Sequence, residues 1–145
     1  MKAAYVIPAL ILLAALNPAA ADSPAPPARL KAPAGAAAAI VSPTDGASVA
    51  NPVTVIFTLK GMGVAPAGVE RTDAGHFHLL VDAGLPPLDA PIPKDEQHLH
   101  FGGGQIQATL TLSPGKHTLQ LLMGDARHLS FDPPVVSPQI TIIVK

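Results

Sequence analysis

An all-β sandwich is the fold class this sequence predicts, and three observations predict it. Along most of the chain beyond residue 40, apolar residues recur with a period of two, the mark of strands with one buried face. Pro, Gly, Asp and Ser clusters punctuate these runs with turn chemistry. No stretch after the first two dozen residues carries the 3.6-residue pattern of an amphipathic helix.

The composition supports one packed domain. Of 145 residues, 48% are hydrophobic and 13% charged, which is ample for a core and excludes disorder over most of the length. Aromatic residues make up only 3%, without Trp, so burial falls to Val, Ile, Leu and Ala. The net charge of −1 offers no basic footprint for a phosphate backbone, so nucleic acid is not an expected partner.

The chain opens with MKAAYVIPALILLAALNPAAADS, one early Lys followed by an apolar run and Ala19-Ala20-Ala21. That order reads as a cleaved export signal over residues 1–21, giving a periplasmic or secreted protein. A membrane anchor is the rival reading. The run, interrupted by Pro8, falls short of the roughly 20 residues that span a bilayer, so no stable membrane insertion is expected after cleavage. The chain has no Cys, hence no disulfides to support an exported fold. Residues 22–39, rich in Pro and Ala, read as a flexible or extended spacer, with a short helix over residues 35–39 as the alternative. The folded domain is expected over residues 40–145.

Within it, Val53, Val55, Phe57 and Leu59 alternate with Thr54, Ile56, Thr58 and Lys60. Ile106, Ala108, Leu110 and Leu112 alternate with Gln105, Gln107, Thr109 and Thr111. Leu119, Leu121 and Met123 form the apolar set of the next run, and Ile140, Ile142 and Val144 that of the last. PTDG at 43–46 and SPGK at 113–116 are tight-turn sequences, Pro setting φ and Gly supplying the positive φ. About seven short strands of this kind match an immunoglobulin-like antiparallel sandwich.

Several motifs in one order, MGVAPAGVE, GHFHLLVD, PLDAPIP, HLHFGGGQ, PGKHTLQLLMGD and DPPVVSPQITI, carry a resemblance over residues 40–145. The chain resembles a family of short exported bacterial proteins known as a domain of unknown function, of the DUF4399 type. The resemblance implies an exported, sandwich-like, histidine-rich module and no established activity. The chain departs from the family pattern at Phe77, Ala126 and Phe131, where members often carry His.

Two H-x-H pairs are the chemical feature of the sequence. In a strand, His76 and His78 share one face, while Phe77, Leu79 and Val81 share the other. The apolar trio marks the core side, so both imidazoles are expected to look outward. Leu99 and Phe101 likewise look inward and leave His98 and His100 outward. Imidazoles two apart on a strand stand roughly 6.6 to 7 Å apart at the backbone, close enough to converge on one ion. If the two segments pair, four imidazoles lie on one surface.

With no Cys, and only Met62 and Met123 outside the leader, the donors suit Cu(II), Zn(II) or Ni(II), and an exported protein meets copper and zinc most often. His128 and Asp125 are additional candidate ligands, and Asp82 and Asp95 candidate ligands or orienting groups. The plain reading of Asp125 is a turn residue capping its own backbone. His117, on the face of Leu119 and Leu121, reads as a half-buried structural histidine.

The sequence therefore predicts a metal-binding module, a chaperone, scavenger or sensor, rather than an enzyme. The alternative is a non-catalytic envelope module whose histidine-rich face, without metal, meets a protein partner. Copper-dependent redox activity is a third reading. FGGGQ lacks the Lys and Ser/Thr of a phosphate loop, and no Ser sits in a nucleophile elbow.

Overall fold

Alternating apolar rows need a second sheet to bury against, and the computed structural model, which describes residue 25 and residues 27–145, supplies it. Among the described residues nine strands form: β1 (Ala37–Ser42), β2 (Ser48–Val49), β3 (Val53–Lys60), β4 (Gly63–Val64), β5 (Ala74–Val81), β6 (His98–Phe101), β7 (Gln107–Leu110), β8 (Gly115–Gly124) and β9 (Ile140–Val144). One sheet is ordered β1-β3-β7. The other runs β2-β9-β8-β5-β4, with β6 on the same strand β5. Most pairings are antiparallel. The exceptions are the two-residue strands β2 and β4, which add to β9 and β5 in parallel and are too short to show a period in sequence.

The predicted inward rows meet between the sheets. Val53, Val55 and Phe57 of β3 and Ala108 and Leu110 of β7 pack against Phe77, Leu79, Leu119, Leu121, Met123, Ile140, Ile142 and Val144. Phe57 anchors the centre, its ring 5.1 Å from that of Phe77 and 5.2 Å from that of Phe101. Each fully buried side chain of this size contributes about 1.5–3 kcal/mol. Ile106 departs from expectation: β7 starts one residue later and leaves it 55% exposed. Its carbonyl instead accepts a hydrogen bond from the Phe57 N–H.

The domain also begins earlier than Ile40. Ala37, Ala38 and Ala39 pair with Lys60, Leu59 and Thr58. Residues of the Pro/Ala-rich stretch dock as well: Arg29 donates to the carbonyls of Ser130 and Phe131, and the Ala32 N–H to that of Asp132. A strand over residues 37–39 replaces the alternative of a short helix. The leader reading falls on residues 1–21, outside the described residues. No helix among the described residues is long and apolar enough to cross a membrane.

Strand β5 is buried along its whole length, on both faces. Its inner row is the core just described. Its outer row, His76, His78 and Leu80, lies beneath two long connections. Ile92 from residues 82–97 packs on Leu80 and Leu122, with Ala83 and Val136 beside them, making a second small core. Residues 130–137 run back along β8, where the Met123 N–H donates to the Val135 carbonyl and the Ser137 N–H to the Leu121 carbonyl. This roof overturns the expectation that His76 and His78 look out to solvent: both are 0% exposed.

Candidate metal centre

Three segments distant in sequence bring four histidines together. His76 and His78 project from β5, and β6 pairs antiparallel with it so that His100 lies directly across from His78. The long Pro-rich connection at 82–97 thus returns the chain to the neighbouring position, so the two H-x-H segments pair, the condition left open in the sequence. His128 arrives from the turn beyond β8, folded over the same face. All pairs of these four rings have centroids 4.9–5.9 Å apart, the longest between His78 and His128.

The nitrogens converge more tightly than the rings. Nε2 of His78 is 3.0 Å from Nε2 of His76, and Nε2 of His128 is 3.1 Å from Nε2 of His100. His76, His100 and His128 each offer a ring nitrogen within 4.8 Å of the other two, a group able to hold a metal ion. His78 adjoins this triad through His76. Two nitrogens each 2.0–2.1 Å from one ion are separated by about 2.9 Å at a right angle and about 3.4 Å at the tetrahedral angle. Both measured Nε2 pairs fall within that range.

The site is graded in depth, with His76 and His78 fully buried and His100 and His128 half-buried at the rim. Nδ1 of His76 and of His78 has no hydrogen-bond partner, although both atoms are inaccessible. Burial, reinforced by the neighbouring imidazoles, pushes the pKa of His76 down to about 4 and that of His78 down to about 3. The His100 pKa is lowered too, by burial first and then by His128 and Lys94. The deep rings are therefore neutral at pH 7, the form that binds metal.

Glycines make the room. Gly124 is the cross-strand partner of His76, and a Cβ there would stand 3.1 Å from the His78 Nε2. A Cβ on Gly102 would lie 2.2 Å from Cε1 and 2.6 Å from Nε2 of His100. Gly102→Ala is expected to swing the His100 ring out of the cluster, because a side-chain end yields before backbone does. Metal affinity should fall at least tenfold while the melting temperature of the metal-free domain changes by only a few degrees. Calorimetric titration beside a thermal melt checks both, and an unchanged affinity would mean that the glycine is spacing for the fold alone.

The other predicted residues sort themselves by their partners. His98 shares the sheet face, opposite Leu80, but its Nδ1 is 2.8 Å from Asp95 Oδ1, and it stands outside the triad. Asp95 is occupied there: the His98 ring first, and then the N–H groups of Gln97 and His98 that its Oδ1 also accepts, hold its pKa below the usual carboxylate range. Asp125 is not placed as a ligand. Its 1% exposed carboxylate accepts the N–H groups of Arg127 and Leu129 and the Arg127 guanidinium. It is the turn residue that shapes the His128 loop, in which His128 adopts φ +66° and its carbonyl accepts the Ile92 N–H at 2.7 Å.

His117 is structural, as expected: its Nδ1 is 2.7 Å from Asp82 Oδ2 and its Nε2 2.8 Å from the Ser113 carbonyl. Asp82 is committed to that bond and to the Thr118 N–H. Phe77 and Phe131, two of the positions where the family pattern often has His, are fully buried in the main core and take no part in the cluster. A cleft lined by Arg29, Glu70, Arg71, Asp73 and Arg127 adjoins the His128 loop. Its arginines are engaged, Arg29 with backbone carbonyls, Arg71 with Asp73 and Arg127 with Asp125.

The fold and site define an all-β sandwich with a roofed histidine cluster on the outer side of one sheet. Residues 55–145 match the family model described as a domain of unknown function, DUF4399, and the chain belongs to that family. No curated protein and no solved structure matches the chain.

Proposed function

We propose that this protein is an exported metal-binding module that holds one Cu(II) or Zn(II) ion through His76, His100 and His128, with His78 as a fourth donor. The observation that carries the reading is the convergence of four imidazoles, two of them fully buried, with Nε2 pairs 3.0 and 3.1 Å apart. Burying polar rings against one another disfavours the folded state unless something is gained. An ion bound by their Nε2 atoms supplies that gain. Imidazole-only donors without thiolate or thioether suit Cu(II) and Zn(II), and the amino-terminal leader supports a periplasmic or secreted setting where those ions are met. The role that follows is capture: a scavenger, chaperone or sensor rather than a catalyst.

The reading of the histidines as a bare docking face is weakened by the same burial, since His76 and His78 present no surface to a partner. The test is metal content. Protein purified without a histidine tag and dialysed against limiting Cu(II) or Zn(II) should retain one ion per chain. His100→Ala and His128→Ala should each lose it, and His98→Ala should keep it. Retention by all three variants, or no uptake by the parent chain, overturns the proposal.

A further inference from the structure

The donor set has a charge problem that points to a second ligand. All four imidazoles are neutral donors, so a divalent ion bound among them keeps its full double charge. No carboxylate among the described residues touches any of the four rings, either as a candidate ligand or behind a ligand. That is unusual for metal-binding histidines, whose second nitrogen generally donates to a carboxylate or a carbonyl. Asp125, near enough to His76 to favour positive charge on it, is already neutralised by Arg127 at 2.9 Å. Lys94 lies near enough to His100 to oppose positive charge there. Fixed charge around the site therefore sums to no compensation, in a place where burial makes an unpaired charge costly.

From this donor set, its missing counter-charge and its half-buried rim, we infer that the metal-loaded site takes a small monovalent anion as an additional ligand, approaching from the rim that His100 and His128 form. The inference rests on the metal reading above. His76 and His78 close the inner side, so the rim is the side on which solvent and its anions arrive. Lys94, exposed and close enough to act on the rim residue His100, favours the approach of negative charge. The ligand class is that of halide, hydroxide or azide, compact enough to reach an ion past two half-buried rings.

The test uses the full-length protein loaded with one equivalent of Cu(II) and titrated with sodium azide at pH 7. An azide-to-copper charge-transfer band should appear and saturate at one azide per copper, with a matching change in the copper electron paramagnetic resonance spectrum. Lys94→Gln should leave copper stoichiometry intact and weaken azide binding roughly two- to fivefold at low salt, the difference vanishing at high salt. Copper that stays bound while both spectra ignore saturating azide overturns this inference alone. So does azide that strips copper into the filtrate. A chain that takes up no copper overturns the metal reading, and this inference falls with it.

Discussion

The metal-free domain is expected to unfold in mild acid, losing stability progressively as the pH falls from about 6.5 toward 4. The reason is the depth of His76 and His78. In the unfolded chain both rings titrate near 6.5, whereas in the fold burial holds their pKa values at about 4 and about 3. Between those limits the unfolded state binds more protons, so stability rises with pH across the window and drains away as pH falls through it. The two rings together are worth several kcal/mol, on the scale of a whole domain's roughly 5–15 kcal/mol.

His78→Leu removes one of these proton traps together with an unpartnered buried Nδ1. Its acid midpoint should drop by on the order of one pH unit, with stability at pH 7 kept or raised. Circular dichroism followed from pH 8 to pH 3 gives the comparison, and coincident acid transitions for variant and parent would refute the account. His117 acts with the opposite sign. Its pKa is raised, first by the Asp82 hydrogen bond, so its contribution is full below 6.5 and is lost as pH rises through the raised value. His117→Gln should therefore leave the acid limb in place and flatten the alkaline one.

The second large effect is thermal. An ion that binds only the folded state, at about 100 times its dissociation constant, adds about 2.7 kcal/mol and raises the melting temperature of a domain of this size by roughly 10 °C. Cu(II) or Zn(II) should produce that rise at pH 7.5 and far less at pH 5, where the metal-free fold is already failing. His100→Ala and His128→Ala should abolish most of the rise with little effect on the metal-free melting temperature, since both rings are half-buried. His117→Ala should lower the melting temperature yet preserve the rise. An undiminished rise in the His128 variant would remove that residue from the site.

Much of the sandwich is legible in period two. The rows of β3, β8 and β9 fall inward where alternation puts them, because a strand facing a core on one side and water on the other must alternate. The same rule misled at β5. His76 and His78 alternate with Phe77 and Leu79 as residues of a wet face would, but connections far along the chain cover that face. A signal was present: Leu79-Leu80-Val81 and Leu121-Leu122-Met123 break the alternation with consecutive apolar residues, as strands covered on both sides do.

The two H-x-H pairs looked equivalent in sequence and are not. His100 reaches the cluster, whereas Asp95, three residues before His98, takes that ring. His128 stood in sequence only as an additional candidate, since its arrival depends on the Asp125 turn and the Ile92 hydrogen bond. Spacing along a strand can be read locally. The docking of a loop on a distant face cannot.

The segment that bears the deepest histidines is also the wall between two cores, and this sets an order of events. On a growing chain, GHFH can offer an ion two donors as soon as it emerges. The third requires β6 to close on β5, and the fourth requires β8 to be complete and its terminal turn folded back. The full cluster therefore exists only after β6 and β8 have both paired with β5 and the turn beyond β8 has folded over the same face. On the metal-binding function proposed above, occupancy would report that these three segments have come together, since a chain lacking either pairing offers an ion only part of the donor set.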